Sequence, residues 1–208
     1  MRKTLIISAV VLSLLAVVFQ TVYRPWQRNW GATDDEVRRT LPGDEIVPDP
    51  TFLATRAVTI NAAPADIWPW LVQIGYRKAG FYSYDWIDND RIPSAEQILP
   101  AYQDLSVGET IPLSQGTDAE VRVLDPGRFM LLVVPGEHGT HGVWTWSWAL
   151  DPVDPTRTRL VTRLRVRLGP VSTLLLDTVE IIMMRKCLLG IKRRAESTAP
   201  ERTSTPSR

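Results

Sequence analysis

The sequence is poor in the residue types that build most metal, redox and nucleophilic sites. Its 208 residues include one cysteine, Cys187, and two histidines, His138 and His141. A single thiol excludes an internal disulfide and a cysteine metal cluster, and it says little about the compartment. The sequence also has no Gly-rich phosphate loop and no evident Ser-His-Asp spacing. We therefore expect no cofactor.

A strong charge of either sign is missing as well. The formal net charge is +1, so the chain lacks the broad basic surface of a nucleic-acid-binding protein, and no nucleic-acid partner is expected. Both histidines share the short loop GEHGTH with Glu137. Zinc binding is the alternative there, but the spacing is not that of a metalloprotease helix and glycines surround the three residues. We interpret the segment as a solvated hairpin loop without a metal.

One long apolar run opens the chain. The nineteen residues from Leu5 to Tyr23 include no charge, which is near the length that crosses a bilayer as a helix. A secretory signal has a shorter apolar core and a small-residue cleavage site, and no convincing site follows here. We predict that residues 1–24 are a single-pass anchor in the cell membrane, with a cleaved signal or a buried helix as alternatives. Basic residues flank both ends, so the side of the membrane stays open.

Beyond this run the pattern predicts one domain between a connector and a tail. Residues 25–53 are polar and contain one short helix that Thr33 can cap. Residues 54–196 begin with a strand and a short helix from Pro64 to Gly75. About five short strands follow, and then a long amphipathic helix from Gly169. Residues 197–208 are rich in Ser, Thr and Pro and are expected to be disordered.

The last two strands and the last helix show their predicted faces. Alternation places Trp144, Trp146 and Trp148 on one side of their strand. On the following strand an arginine face is expected to be solvated, with a patch for anionic headgroups as the alternative: Arg159, Arg163, Arg165 and Arg167. Two neighbouring stripes are expected to form the apolar arc of the helix: Val171, Leu174, Ile181, Leu188 and Ile191, and beside them Leu175, Val179, Ile182 and Leu189.

Aromatic residues are concentrated in a single segment. Of eight Trp, five Tyr and four Phe, seven lie between Trp68 and Trp86. Polar residues are mixed among them, which is typical of the wall of a small-molecule pocket. A tryptophan-rich packing corner between two helices is the alternative.

Several motifs resemble one superfamily. The segments TRAVTINAAPADIWPWL, GFYSYDW and MMRKCLLGIKRRAE are similar to SRPBCC proteins, which include START-like, Bet v 1-like and polyketide cyclase/dehydrase-like members. WGATDDEV, LPGDE and WPWLVQIGYRKAGFYSYDW resemble membrane-associated members common in actinobacteria. The resemblance covers about residues 30 to 195. It implies an α+β helix-grip fold, in which a curved antiparallel sheet wraps around the C-terminal helix and encloses a hydrophobic cavity.

This resemblance implies a function that the fold alone does not fix. We expect membrane-anchored binding of a hydrophobic or amphipathic small molecule, such as a lipid or a polyketide-like compound. A cyclase or dehydratase acting on such a ligand, and a filled domain serving only as an interaction module, are the alternatives. The oligomeric state stays open.

The expected ligand site combines the aromatic segment with the tryptophan strand and the helix. Arg77 is expected near the entrance, where it would bind a negative or strongly polar head, although an ion pair is the simpler interpretation. Trp146 is expected to be buried near Ile181 or Ile182. The full set is Trp70, Gln73, Arg77, Tyr82, Tyr84, Trp86, Trp144, Trp146, Trp148 and Ile181.

Overall fold

A computed structural model describes residues 2–136 and 143–199. Six antiparallel strands form one curved sheet in the spatial order β1-β6-β5-β4-β3-β2. This confirms the expected α+β class and the five strands predicted in the second half of the chain. The strands are β1 Phe52–Ile60, β2 Thr110–Ser114, β3 Thr117–Asp125, β4 Phe129–Val134, β5 Trp144–Asp154 and β6 Arg157–Val166.

Helices precede the sheet, interrupt it after β1 and close the chain. Thr33 caps α3, as predicted, and the structure adds a capping box with Glu36. The helix after β1 is short because Pro69 lies inside it and the chain turns at Gly75, whose φ is 148°. The helices are α1 Arg2–Val18, α2 Arg24–Arg28, α3 Asp34–Arg38, α4 Pro64–Val72, α5 Asp85–Asp88 and α6 Pro170–Thr198. Short 3-10 turns span Asp44–Ile46 and Pro100–Tyr102.

The main core lies between the sheet, α4 and α6. Ile60 on β1, Trp70 on α4, Trp148 on β5 and Leu188 on α6 are all fully buried in it. Gly190 lets α6 approach closely, since a Cβ there would lie 2.3 Å from the carbonyl oxygen of Tyr82. The C-terminal helix is thereby fixed against the segment that follows α4.

The buried face of α6 differs from the predicted arc. Ile181, Leu188 and Ile191 are buried as expected. Other members of the two stripes are exposed, most strongly in the first half of the helix: Val171, Leu174, Leu175, Ile182 and Leu189. Buried polar residues, Thr173 and Asp177, occupy the inward side there instead. The prediction was wrong for this half because the inward side meets the polar end of the N-terminal helix.

Most of the arginine face of β6 is covered, so the prediction that it is solvated was wrong for Arg159, Arg163 and Arg165. Arg167, just after the strand, is exposed as predicted. Arg163 has a side chain 3% exposed and pairs with Asp44 at 2.6 Å. Its guanidinium also donates to the carbonyl oxygens of Glu36, Val37 and Arg39 at 2.8–3.0 Å. The connector folds back over this face because these carbonyls satisfy the arginine fork. A second apolar cluster accompanies the contact: Leu41, Ala57, Phe129, Leu131, Val133, Ala149 and Val161.

The N-terminal run is one continuous helix, as predicted, and it extends further than expected. A π-helical turn, Phe19–Tyr23, joins α1 to α2. The span from Ile6 to Arg28 has the length and apolar composition to cross a membrane, and the chain buries none of its most apolar window. The last turns are different. Arg24, Gln27 and Arg28 all bind the carboxylate of Asp177 on α6, at 2.7–3.1 Å.

Two predicted features lie outside the described residues. These are the loop with Glu137, His138 and His141, and the tail beyond residue 199. Both interpretations stay predictions.

Candidate functional site

A cavity of about 380 Å³ lies between the concave face of the sheet and α6. Its wall is mainly apolar, with aromatic, aliphatic and sulfur-containing side chains. The helix contributes one face, at spacings of three and four residues, from Leu176 to Cys187. The lining residues are Phe81, Ser83, Asp88, Leu113, Trp144, Trp146, Leu164, Val166, Leu168, Leu176, Glu180, Met183, Met184 and Cys187.

The tryptophan strand supplies the floor of the cavity, but not all three rings face it. Trp144 and Trp146 line the space, and Trp148 is fully buried in the core beside them. The rings of Trp146 and Trp148 are 4.8 Å apart. Trp146 donates its indole N–H to the hydroxyl of Thr162 on β6 at 2.9 Å, which fixes the ring orientation. The alternation read from the sequence therefore placed these side chains on the correct face.

Three predicted site residues form a packed corner instead of a wall. Gln73 is buried and its side chain donates to the hydroxyl of Tyr82 at 3.0 Å. Tyr82 donates in turn to the carbonyl of Trp70 at 3.0 Å, and the two rings meet edge to face. Burial raises the pKa of the Tyr82 hydroxyl. None of the three lines the cavity, so this part of the aromatic segment matches the packing-corner alternative.

Three others lie at the surface near that corner. Arg77 has a side chain 61% exposed and pairs with Asp90 at 2.6 Å. Arg77 therefore forms an ion pair, the simpler interpretation of its sequence, while the nearby Asp85 accepts from the hydroxyl of Ser94 at 2.5 Å. Trp86 is 68% exposed, and Tyr84 is half-buried beneath the ammonium group of Lys186. Arg77, Tyr84 and Trp86 are not among the residues lining the cavity.

The helix meets the cavity through other residues than the one predicted. Ile181 is buried but does not line the space, and Ile182 is exposed. Met183, Met184 and Cys187 lie opposite the tryptophans instead. A periodic apolar pattern finds the helix, but one residue of rotation changes which side chains reach the cavity.

Sequence reasoning missed two carboxylates in this apolar wall, Asp88 and Glu180. Asp88 ends the aromatic segment and Glu180 stands among apolar residues of α6. An acidic residue inside an otherwise apolar helical face was the available signal.

Asp88 is held at the cavity by a tightly bonded loop. Asn89 beside it is fully buried, accepts from the amide of Arg77 at 2.7 Å and donates to the carbonyl of Ile92 at 2.7 Å. Both carboxylate oxygens of Asp88 are buried without a hydrogen bond of normal geometry. Burial raises the pKa of Asp88 to about 6, with a further contribution from the charge of Asp85. The Ser83 hydroxyl, which donates to the carbonyl of Met183, and the backbone amides of Asp88 and Tyr84 lower this pKa, against the larger effect of burial.

Glu180, by contrast, is paired. Arg56 on β1, whose side chain is 1% exposed, approaches its carboxylate at 2.5–2.7 Å. The same guanidinium donates to the backbone and side-chain oxygens of Gln27 at 2.7 and 2.9 Å. Burial raises the pKa of Glu180, and Arg56 opposes that rise. This network connects the end of the N-terminal helix to the cavity wall.

The thiol of Cys187 is influenced by both carboxylates. Burial raises the pKa of its thiol, and the charges of Asp88 and Glu180 raise it further. Both acids line the same cavity as Cys187. A thiol in these surroundings stays protonated and unreactive.

No family model matches the sequence, and no curated protein is similar to it. Solved structures with a similar arrangement include a protein from Thermobifida fusca. It is 13% identical, with a TM-score of 0.49 over 70% of this chain and 93% of that one. DynU16, a protein in the dynemicin biosynthetic locus, is 14% identical, with a TM-score of 0.44 over 67% of this chain and 47% of that one. CalU16 from Micromonospora echinospora is 10% identical, with a TM-score of 0.43 over 70% and 82% of the two chains. No residue role is transferred from these proteins.

Proposed function

We propose that this protein binds a hydrophobic small molecule in the cavity beneath α6 and is held at a membrane by its N-terminal helix. The observation that carries the proposal is the apolar cavity of about 380 Å³. Ligand pockets have volumes of several hundred Å³ and are lined mainly by apolar and aromatic side chains with a few polar groups. The motifs that resemble SRPBCC proteins support the same conclusion, and we propose membership of that superfamily.

The surface around the N-terminal helix supports the membrane part of the proposal. Its apolar side chains have no burial within the chain, and apolar helices of this length are stable in a bilayer. The exposed apolar side chains of the first half of α6 belong to the same region. Tyr23 bonds to the carbonyl of Thr178, and Asp177 binds α2. Leu168 and Leu176, which line the cavity, neighbour these exposed residues in sequence. A ligand dissolved in the bilayer would therefore be close to the cavity.

Native mass spectrometry of the full-length protein, released from detergent micelles, tests the cavity. We expect a co-purified small molecule or a one-to-one adduct with added 10-bromodecan-1-ol. Leu176→Trp places a larger ring in the cavity and should weaken the adduct. Leu175→Trp is the matched control, because Leu175 is 61% exposed on the same helix and does not line the cavity. Equal adducts with both variants would contradict the proposed site.

Deletion of residues 1–21 tests the anchor. The contacts between this helix and the body begin at Tyr23 and Arg24, so the shortened protein should stay folded and leave the membrane fraction. Aggregation or loss of the folded state would show that the helix belongs to the core. Retention at the membrane would show that the α6 surface suffices.

The ionisation of Asp88 favours a second candidate function, proton transfer to a bound ligand. A carboxyl group with a pKa of about 6 that borders a cavity is suited to general acid–base catalysis near neutral pH. This corresponds to the cyclase or dehydratase alternative. A mass change of the co-purified molecule on incubation, abolished in Asp88→Asn, would establish it, and an unchanged ligand favours simple binding.

A further inference from the structure

The cavity wall has a polar feature that binding of a purely apolar molecule would leave unsatisfied. In the described part of the chain, Asp88 is the carboxylate with both oxygens buried and no hydrogen bond of normal geometry. The Ser83 hydroxyl and the backbone amides of Tyr84 and Asp88 lower its pKa, but less than burial raises it. Buried polar groups are nearly always bonded, and an unpaired buried charge is costly. A hydrocarbon that filled the cavity would also exclude water from these oxygens and raise the cost. A ligand whose polar end donates a hydrogen bond to Asp88 removes this cost.

The remaining charges of the wall indicate the sign of the ligand's polar group. Among the described residues that line the cavity, none is Lys, Arg or His. Arg56 neutralises Glu180, so Asp88 leaves a net negative charge on the wall when it is ionised. An anionic head would meet that charge in a medium of low dielectric constant, where repulsion is strong.

The cationic residue predicted to bind an anionic head lies elsewhere. Arg77 is on the surface and engaged with Asp90 through two nitrogens, at 2.6 and 2.9 Å. The Tyr76 hydroxyl also donates to Asp90. This closed surface pair provides no reason to place a carboxylate or phosphate inside the cavity.

We infer, on the basis of the proposed binding function, that the cavity selects amphipathic molecules whose polar end donates hydrogen bonds to Asp88. Alkyl amines and alcohols share this chemistry, and a cationic amine combines the donors with the favourable charge. Asp88 is then a specificity-determining residue, and Glu180 is held away from the ligand's charge by Arg56.

The test uses full-length protein in phosphatidylcholine nanodiscs and three ligands with the same ten-carbon chain. Decylamine is cationic at pH 7.5, 1-decanol is a neutral donor, and decanesulfonate is a permanent anion. Affinities are measured by native mass spectrometry for the parent protein and for Asp88→Asn. Comparing the two proteins for each ligand cancels the partition of that ligand into the bilayer. Asp118→Asn on β3 is the control, since it makes the same charge change at an exposed position.

We expect the parent protein to bind decylamine most tightly and decanesulfonate at least about tenfold more weakly than decylamine. Loss of a charge-assisted bond corresponds to a decrease of about ten- to a hundredfold. Asp88→Asn should weaken the binding of decylamine by that factor and change the affinity for 1-decanol by about threefold or less. The same substitution should strengthen the binding of decanesulfonate, and Asp118→Asn should leave the affinities for all three ligands unchanged.

A second measurement keeps the inference testable if Asp88→Asn folds poorly. Lowering the pH from 7.5 to 5.0 protonates Asp88 and should weaken decylamine in the parent protein. The groups that act on Asp88 or share its side of the cavity are Asp85 from its own helix, and Glu180 and Cys187 from α6. The pKa of Glu180 is also raised. The weakening at low pH can therefore be assigned to Asp88 only if it is absent in Asp88→Leu.

The outcomes distinguish the selectivity from the binding function. If decanesulfonate binds the parent protein as tightly as decylamine, and Asp88→Asn changes neither, the selectivity is wrong while the cavity function stands. If Arg77→Leu specifically weakens decanesulfonate, the polar end lies at the surface pair and the inference is also wrong. Failure of all three ligands to bind the parent protein would overturn the proposed function itself.

Discussion

The two faces of the sheet differ in whether their buried charges are paired. On the convex face, Arg163 meets Asp44, the Thr55 hydroxyl and three backbone carbonyls, all within 3.0 Å. On the concave face, Asp88 borders a cavity and neither of its oxygens has a hydrogen bond of normal geometry. The first arrangement fixes the connector onto the sheet. The second leaves an acceptor available, and available buried acceptors are expected where a ligand completes the site.

Removal of the convex charge should have the largest effect on stability. Arg163→Ala would leave the carbonyls of the connector buried without this donor, and Asp44 would keep only the Leu41 amide and the longer contact with Arg165. Breaking such a buried pair costs about 3–5 kcal/mol. Urea denaturation of the protein in detergent measures this loss, and Arg167→Ala is the control, because its side chain is 54% exposed directly after the same strand. A loss below about 1 kcal/mol for Arg163→Ala would show that the connector is not held by this residue.

Truncation of the cavity floor should have a slightly smaller effect. Trp146→Ala removes a ring that is 7% exposed and leaves Thr162 without the indole donor. We expect a loss of about 3 kcal/mol, at the low end for a buried tryptophan, because the ring already borders empty space. Trp86→Ala, at a ring 68% exposed, should change the unfolding free energy little. Equal effects of the two substitutions would place Trp146 at the surface.

Removal of the concave charge should have the opposite sign. Asp88→Leu replaces an unpaired buried carboxylate by an apolar side chain of similar reach. In the ligand-free protein at pH 7.5 we expect a gain of about 1 kcal/mol, since an apolar replacement of a poorly compensated charge is often stabilising. The same urea titration would detect it. A loss of stability would mean that Asp88 has a structural partner, and the contrast between the faces would fail.

The last comparison is a pH dependence specific to Asp88. Its pKa is about 6 in the folded protein, against 3.8 ordinarily, so the folded state binds this proton more tightly. The stability that this proton provides is complete below about pH 4 and is lost as the pH rises through about 6. Unfolding free energies measured from pH 4 to 7 should therefore decrease more in the parent protein than in Asp88→Asn. Parallel curves would exclude a raised pKa for Asp88. The titration of Glu180 contributes equally to the curves of both proteins.

Local patterns in the sequence were sufficient for the fold and for part of the site. Strict alternation from Trp144 to Trp148 identified the concave face, because a shift of one residue along a strand would place these side chains on the opposite face. Pro64 and Gly75 bounded the region of the short helix, and Thr33 with Glu36 began α3. These features depend on neighbours within a few residues, so they can be read without a tertiary structure.

The missed features all depend on contacts between distant residues. The arginines of β6 were expected in water because nothing near them in sequence shows that the connector returns over them, more than one hundred residues away in the case of Arg163 and Asp44. The aromatic segment divides between a packed corner and the surface, which composition cannot distinguish. Asp88 was overlooked for the same reason, since its isolation from partners is a property of the folded loop.

The sequence by itself determined the apolar N-terminal helix, the antiparallel strands with their faces, and the long final helix. Hydrophobic periodicity and turn residues specify each of these locally. Only the tertiary structure decided how α6 is rotated against the sheet, and therefore that Met183, Met184 and Cys187 face the tryptophans. It also decided which buried charges are paired. Pairing depends on whether atoms far apart in the chain come within hydrogen-bond distance, and packing of the whole domain fixes that distance.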